Sequence, residues 1–287
     1  MRIPLGSCLA ALLIATPLHA QSSDAPPIAP GDAPMQGRDF VLAGAGLTLL
    51  TQYEGSKDYE ILPMPGVVGE ASGVAFTVIG PRASVDLFSV KLDDHWHVSV
   101  GPSIGVNMNR THLSTISDLR IRALGKIKGA IEVGGSLDFV GSGVITSAYD
   151  RLSFSVGVRH DVAGAYDGSV VTPALTYLAP LSRRTMVVLL AQADRADSRY
   201  AGTYFSITPA QSTASTLPAF NARGGWKDWT LGAAIDHSLT GDLTHGLSLV
   251  AGGSYTRLVN DFAASPVVSV AGSPNQFLAG VGLAYAF

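Results

Sequence analysis

Apolar and small polar residues alternate along several stretches of this sequence. From position 97 to 108, Val98, Val100 and Ile104 alternate with Ser99 and Gly101, and 131–139, 152–160 and 229–236 follow the same pattern. A period of two places successive side chains on opposite faces of a β-strand. Stretches of roughly ten residues match tilted transmembrane strands of about 9–11 residues, whereas strands of soluble proteins usually have about 5–6. The pattern predicts an all-β fold, a transmembrane antiparallel β-barrel with an apolar outside and a small, polar inner face.

The composition agrees with a membrane barrel. Charged residues make up 14% of the chain, hydrophobic residues 47%, and 32 residues are glycine. An ordinary soluble domain has about 25% charged residues. The formal net charge is -3, which provides no basic surface for nucleic acid. These values disfavour a soluble enzyme and a nucleic-acid partner.

The alternating segments are more numerous than an even-stranded barrel allows. Thirteen segments lie near 40–50, 61–69, 73–80, 83–91, 96–108, 128–140, 150–160, 169–179, 185–194, 218–226, 229–239, 246–258 and 276–287. Bacterial single-chain barrels have an even number of strands. Joining 61–80 into one strand gives twelve, and adding a strand at 266–272 gives fourteen. We predict about 12 strands within a range of 10–14, and the side faced by the connection 195–217 stays open.

The N-terminal residues resemble a secretory signal. Arg2 precedes an apolar run at 9–14, and Ala20 is a small residue at the expected cleavage site. Cys8 lies before the apolar run, whereas a lipid-accepting cysteine follows it. We therefore predict a signal peptide at 1–20, a flexible periplasmic tail at 21–39 and a barrel at 40–287, located in the outer membrane of a Gram-negative bacterium.

The last strand resembles the signal that barrel assembly machinery recognises. Phe287, Tyr285, Leu283 and Val281 share one face, and Ala286, Ala284, Gly282 and Gly280 share the other. A terminal aromatic ring that is preceded at every second position by an apolar residue is typical of the closing strand of such barrels. Outer-membrane lipid and the assembly machinery are therefore the expected partners of this strand.

Several stretches resemble the MltA-interacting protein (MipA/OmpV) family of outer-membrane proteins. They are Tyr53-Glu54-Gly55-Ser56-Lys57-Asp58-Tyr59 with Leu62-Pro63-Met64-Pro65, then 196–205 with 207–211, then Arg257-Leu258 with Asp261 and 265–268, and the closing 275–287. The chain departs from the family pattern at 66–68, where Gly66-Val67-Val68 replaces aromatic residues, and near Arg110. The resemblance implies a non-enzymatic scaffold that docks a murein hydrolase to a murein-synthesising penicillin-binding protein in cell-envelope maintenance.

A charged and aromatic cluster overlaps the middle family stretch. It begins with Asp194 and Arg195 at a junction between a strand and a loop. The candidate contact residues are Asp197, Arg199, Tyr200 and Tyr204. Two roles are open: contact with a partner protein, or pinning of the loop by ion pairs and an aromatic residue. Exposed ion pairs contribute only about 0–1 kcal/mol each, so the cluster indicates geometry or recognition rather than stability.

Transport is the second hypothesis, from a different class. About twelve strands is intermediate between small filled barrels and open sixteen-stranded porins. Small inner residues leave room for solutes, and Glu132, Asp138, Arg159 and Asp236 lie where they would constrict the lumen. A narrow channel or uptake route for small solutes is therefore the alternative to the scaffold.

Catalytic and metal motifs are weak. The stretch 101–105 fits Gly-x-Ser-x-Gly, but that motif requires a sharp turn between a strand and a helix, and Ser103 lies within an alternating strand. His97, His160 and His237 are the histidines that a barrel-embedded hydrolase would use, and no spacing favours them. His95 and His97 share a strand face, without a further ligand placed by the sequence. We predict no enzyme activity, no cofactor and no metal.

Overall fold

The computed structural model describes residues 39–287. Its strands are β1 (Phe40–Thr51), β2 (Tyr59–Ala71), β3 (Val74–Ile79), β4 (Arg82–Asp86), β5 (Phe88–Lys91), β6 (Trp96–Asn107), β7 (Ala130–Ser142), β8 (Arg151–Asp161), β9 (Ser169–Pro180), β10 (Thr185–Ala196), β11 (Gly225–Ser238), β12 (Gly246–Leu258) and β13 (Asn275–Ala286). The predicted signal peptide and residues 21–38 of the predicted tail lie outside the described residues.

The sheet closes on itself. β1 pairs with β13, and apart from β4 and β5 each strand pairs antiparallel with the next. β4 and β5 both pair with β6 and occupy one position in the wall, interrupted at Leu87. The architecture is a closed antiparallel barrel of 12 strands, which confirms the predicted fold class and strand number.

Two assignments behind that number are wrong. The stretch 61–80 is not one strand, because Ser72 and Gly73 adopt positive φ angles and make a turn between β2 and β3. The stretch 218–226 is not a strand along its length. There Phe220 forms an isolated bridge with Ile207, and β11 begins at Gly225. Four glycine, proline or asparagine residues at 218–225 interrupt the apolar alternation that predicted a strand.

The two ends of the barrel differ. β1 begins and β13 ends at one end, where short turns at 72–73, 92–95, 143–150, 181–184 and 239–245 join the strands; we call it the turn end. The opposite end, the loop end, carries the connections 52–58, 108–129, 162–168, 197–224 and 259–274, whereas the tip 80–81 between β3 and β4 stops about halfway along the wall. Its helices are the 3-10 helix Leu113–Thr115, α1 (Leu119–Ala123), α2 (Ser198–Phe205), α3 (Pro209–Ser215), α4 (Asn260–Ala264) and α5 (Pro266–Ser269). No helix in residues 39–287 is long and apolar enough to cross a membrane.

The outer surface is apolar and carries aromatic residues near both ends. Trp229, Tyr255 and Phe277 contact one another near the loop end, with ring centroids 5.4 and 5.1 Å apart. Near the turn end, the rings of Tyr285 and Phe287 are 4.9 Å apart. Two aromatic belts around an apolar band are typical of membrane barrels. The outward positions include Phe287, Tyr285, Leu283 and Val281, which are all exposed.

The inner face changes in character along the barrel. Near the turn end, Met186, Val188 and Leu178 from the wall pack against Leu243 of the turn 239–245. Near the loop end, the inward residues are charged, among them Glu132, Arg159 and Asp194. The lumen therefore has an apolar cluster beside the buried Asp236 at the turn end, and paired charges beneath the loops.

Candidate functional site: the loop cap and the charged lumen beneath it

Five of the connections at the loop end fold into one hydrophobic cluster, which we call the cap core. Its buried residues from the loops are Tyr53, Ile116, Ile121, Leu124, Tyr166, Tyr200, Ala201, Tyr204, Phe205, Ile207, Leu217, Ala222, Phe262, Val267, Val268 and Ala271. Side chains from loops far apart in sequence reach 0–7% exposure in this cluster. Burial of this kind stabilises one arrangement of the loops over the end of the lumen.

The structure places the four predicted cluster residues at α2. The Asp197 carboxylate is the N-cap of this helix and accepts hydrogen bonds from the backbone N–H groups of Arg199 and Tyr200. It also accepts one from the Ser169 N–H, at 2.7 Å. Arg199, which is exposed, forms an ion pair with Asp167 of the connection 162–168. Asp197 and Arg199 therefore join the connection 197–224 to its neighbour.

Tyr200 and Tyr204 lie inside the cap core instead of on the surface. Their rings are 4.7 Å apart, and both contact the ring of Tyr166. The Tyr200 hydroxyl donates a 2.8 Å hydrogen bond to Oε2 of Glu54, in the connection 52–58. At 0% and 1% exposure, respectively, these two tyrosines offer no surface to a partner while the cap is folded.

Arg110, at a departure from the family pattern, fastens the connection 108–129 to α2. Its Nη2 donates to the carbonyl oxygens of Thr203 and Tyr204, at 3.1 and 3.0 Å. Cations near the last carbonyls of a helix satisfy groups that the helix leaves unpaired. Burial lowers the pKa of Arg110 to about 10, so the guanidinium remains charged at neutral pH.

Beneath the cap, Lys227 lies at the centre of three carboxylates. Its Nζ is 2.5 Å from Oε1 of Glu54, 3.1 Å from Oδ2 of Asp228 and 3.3 Å from Oδ2 of Asp194. The ammonium also lies 5.4 Å from the centre of the Tyr200 ring. Lys227 has 0% exposure, so each carboxylate that it contacts offsets the cost of burying its charge.

A β-bulge directs Lys227 into the lumen. The pairing of β10 with β11 shifts between Asp194↔Asp228 and Arg195↔Trp226, which leaves Lys227 as the extra residue. A bulge redirects a side chain that strict alternation would place on the other face. Lys227 and Asp228 are consequently both buried although they are adjacent in sequence.

A second group of charges continues from Asp194 across the wall. Arg159 donates to Asp194 Oδ2 at 3.2 Å, and its Nε lies 3.3 Å from Glu132 Oε2. Glu132 Oε2 also lies 3.4 Å from Nη2 of Arg82, while its Oε1 accepts the hydroxyl of Tyr166 at 2.9 Å. We call the set Glu54, Arg82, Glu132, Arg159, Asp194, Lys227 and Asp228 the lumen network.

The lumen network connects the wall to the cap. Glu54 belongs to a loop and binds Tyr200 and Lys227, and Tyr166 from another loop binds Glu132. The network holds three cations and four carboxylates. Because the charges are nearly balanced and mutually paired, the arrangement fixes the cap on the barrel and fills this end of the lumen with ion pairs.

A cavity of about 260 Å³ adjoins the network. It is lined by Thr77, Ile79, Arg82, Ala83, Ser84, Ser103, Ile104, Gly105, Glu132 and Arg159. Arg82 retains 24% exposure of its side chain. The cavity therefore combines an apolar side with a guanidinium that is accessible from within it.

Sequence reasoning found part of this site. Glu132 and Arg159 are predicted to constrict the lumen, and both lie in the network. Asp236 is also inward and buried, and the inward Asp138 is half-buried and accepts a 2.7 Å hydrogen bond from the Ser136 hydroxyl. Sequence reasoning predicts no role in the lumen for Glu54, Arg82, Lys227 or Asp228. The adjacent charges Lys227-Asp228 at the start of an alternating strand are the signal that would have indicated a bulge.

Two of the three histidines considered for a hydrolase lie on the opposite face of the wall from Ser103. Ser103 lies on the inner face of β6 and lines the cavity. His160 and His237 lie on the outer face, where they contact Ser169 and Thr185. Among the described residues, no group of three or more His, Cys, Asp or Glu side chains is arranged to hold a metal ion.

Comparisons with known proteins identify a family for this chain. A family model described as "MltA-interacting protein MipA" matches residues 43–287. None of the curated proteins compared with the chain matches it. Among solved structures, the NanC porin is similar at 10% identity, with a TM-score of 0.48 over 86% of this chain and 98% of that chain. An outer-membrane channel from Pseudomonas putida F1 is similar at 11% identity, with a TM-score of 0.40 over 87% and 95%.

Proposed function

Because this chain belongs to the MltA-interacting protein MipA family, we propose that it is a non-enzymatic scaffold of the outer membrane, which binds a murein hydrolase. The family model covers nearly the whole barrel, from 43 to 287, and this match is the observation that carries the proposal. A murein-synthesising penicillin-binding protein is the proposed second partner, so that cleavage and synthesis of murein occur at one place.

The capped lumen favours a scaffold rather than an open channel. Five loops share the cap core, and the lumen network joins Glu54 of the cap to Lys227 of the wall. A channel needs a continuous path whose sites bind weakly enough for a solute to leave. A lumen crossed by paired charges beneath packed loops is better suited to a rigid body that presents its ends to partners.

The turn end is the proposed docking face. Membrane barrels have short periplasmic turns and longer extracellular loops, which supports the proposal that the turn end of this barrel faces the periplasm, where murein lies. Arg183 and Arg184 are exposed in the turn 181–184, and Asp93 and Asp94 in the turn 92–95. For the loop end we propose that Asp197, Arg199, Tyr200 and Tyr204 pin the loop and do not contact the murein enzymes.

The test is capture of the murein hydrolase from detergent extracts of outer membrane by the purified, tagged barrel. We expect the Arg183→Glu/Arg184→Glu variant to lose most of the captured hydrolase, and Arg199→Glu, an exposed charge reversal at the loop end, to retain it. Loss in the Arg199 variant alone would move the interface to the loop end. Absence of capture by the folded wild-type barrel, together with stable current steps in planar bilayers, would replace the scaffold by a channel.

A further inference from the structure

The barrel wall has a notch in its loop-end half. β2 has 13 residues, whereas β3 and β4, which follow it in the wall, have 6 and 5. The pairing of β2 with β3 runs from Ala71↔Val74 to Gly66↔Ile79 and ends there, at the hairpin tip Gly80-Pro81. The segment 59–65 of β2 therefore pairs with β1 on one side and extends beyond the hairpin on the other.

The notch begins near the middle of the membrane-spanning wall. From Gly66, the row of paired residues passes through four strands to Ser238, at the turn end of β11. In the other direction, the row passes through five strands to Asp161, at the loop end of β8. Gly66 therefore lies about midway between the two ends, and the notch opens from there toward the loops.

Two prolines line the open edge of β2. The Gly80 N–H donates to the carbonyl of Pro65, so the main-chain groups of residue 65 point toward the notch. In an antiparallel strand the main-chain groups of alternate residues point to the same side, so those of Ile61 and Pro63 point toward the notch as well. Proline has no N–H to leave unpaired in the bilayer. The Pro-x-Pro motif thus makes an interrupted wall tolerable in a membrane, and it disfavours addition of a peptide strand.

The notch leads from the apolar outside to the polar cavity. Ile61, Pro63 and Pro65 are exposed on the outer face. At the floor of the notch, the Met64 thioether lies against Gly80. A Cβ atom at position 80 would lie 2.4 Å from the Met64 sulfur, so glycine leaves room for the thioether there. Methionine is an adaptable filler. Directly inside lie Ile79 and Arg82, at the edge of the 260 Å³ cavity.

We propose that this notch is a lateral entrance through which a membrane amphiphile with an anionic head group, such as a single-chain carboxylate, enters the cavity and is bound by Arg82. The alkyl chain stays among Ile61, Met64 and Ile79, and the head group displaces one contact of the pair Arg82–Glu132, which is already long at 3.4 Å. Arg159 holds Glu132 and Asp194 at the same time, so it keeps Glu132 paired while Arg82 turns to the ligand. This proposal does not depend on the murein partners.

Photo-crosslinking in phospholipid vesicles tests the entrance. The folded, full-length mature barrel is exposed to a diazirine-bearing C16 fatty acid, and the labelled residues are mapped by mass spectrometry. We expect labels on the cavity residues Thr77, Ile79 and Ser84, and about tenfold weaker cavity labelling in Arg82→Gln, the size of effect expected when a charge-assisted hydrogen bond is lost. Ile79→Trp, which narrows the passage without changing a charge, is expected to reduce the label as well.

The controls separate the membrane route from the aqueous route and from misfolding. Arg151→Gln, at the turn end of β8, is the matched loss of an arginine and is expected to label as the wild type does. A C16 alcohol probe is expected to label only residues on the outer face of the barrel. Labels confined to outward residues, equal labelling by the acid and the alcohol, or equal cavity labelling by a water-soluble C4 acid would each overturn the proposal. Every variant is first checked for the gel migration of the folded barrel, and hydrolase capture by Arg82→Gln is expected to be unchanged.

Discussion

At the scale of single residues, Lys227 has the largest effect that the structure predicts. Removing it leaves Glu54, Asp194 and Asp228 buried around a lost cation. Breaking a buried ion pair by removing one partner costs about 3–5 kcal/mol. We expect Lys227→Met to lower the free energy of unfolding by this amount in urea titrations followed by tryptophan fluorescence. Lys91→Met, an exposed lysine on β5, is the control, and equal stability of the two variants would contradict the assigned role.

Asp150 is the corresponding residue of the turn end. Its carboxylate accepts the backbone N–H groups of Val144, Ile145 and Ser147 at 2.8, 3.0 and 3.2 Å, and also that of Thr146. Burial alone would raise the pKa of Asp150, but the N–H groups of Thr146, Val144 and Ser147 and the Tyr177 hydroxyl lower it below its usual value. A carboxylate with a lowered pKa stabilises the fold above the unfolded pKa of about 3.9, and the stabilisation is lost as the pH falls below that value.

We therefore expect Asp150→Asn to loosen the turn 143–150. An amide oxygen cannot replace two carboxylate oxygens as acceptors, and each buried donor left unpaired costs about 1–3 kcal/mol. Limited proteolysis at neutral pH should cut the variant faster than the wild type within 143–149, and the difference should shrink below about pH 4. Asp94→Asn, in an exposed turn, is the control. Equal cutting rates at neutral pH would show that Asp150 does not order the turn.

At the scale of elements, period-two patterning predicted which residues of most strands face outward, because each strand has lipid on one face and the lumen on the other. It did not predict that β3 and β4 end halfway, since their residues alternate as well as those of full-length strands. The bulge at Lys227 was missed for a related reason: alternation is a local signal, whereas a register shift depends on the neighbouring strand. The sequence predicts no role for the Pro-x-Pro motif of β2 beyond the family resemblance, although the motif lies at an edge of the wall that extends past its neighbour.

The same prolines lead to a prediction about self-association. Pro63→Thr/Pro65→Thr restores two N–H donors on the open edge of β2, and unpaired edges pair with other chains. We expect a larger dimer fraction than the wild type in light scattering of the purified barrel. Pro102→Thr, at an exposed outward position of β6, is the control and should leave the mass unchanged. A double variant that remains as monomeric as the wild type would show that the edge is covered by other means.

β13 carries the prediction about assembly. Phe287→Asp removes an exposed ring beside Tyr285 and is expected to reduce folded barrel in the outer membrane without reducing export. A charge on the lipid face costs about 2–4 kcal/mol at the midplane and less near an interface, so the main effect is lost recognition and failed closure of β13 on β1. Ala284→Ser, on the inner face of β13, is the control. Wild-type amounts of folded Phe287→Asp barrel would show that this residue is not the signal.

At the scale of the whole molecule, the barrel was predictable from the sequence, whereas only part of the site was. The fold follows from a pattern repeated in every strand. The stretch 61–80 holds one strand more than predicted and 218–226 one fewer, so the two errors cancel in the strand count. The lumen network joins residues from Glu54 to Asp228 across five wall strands and a loop. Its composition depends on which inward charges reach the loop end at the same height, and this is fixed by the shear of the closed barrel rather than by any local spacing.

The last prediction concerns the cap as a whole. Ala196 and Gly225 are paired neighbours in β10 and β11, so residues 197–224 can be replaced by Asn-Gly, a two-residue sequence suited to a hairpin turn. This replacement removes Tyr200, Tyr204 and Phe205 from the cap core and leaves the wall intact. In planar bilayers we expect the wild type to be silent and the shortened barrel to give stable current steps. The exposed lumen network has one carboxylate more than it has cations, so the current should be weakly cation-selective. Arg223→Ala, an exposed change in the same connection, should remain silent. If the wild type conducts as well as the shortened barrel, the loops do not close the lumen, and transport gains support over the scaffold.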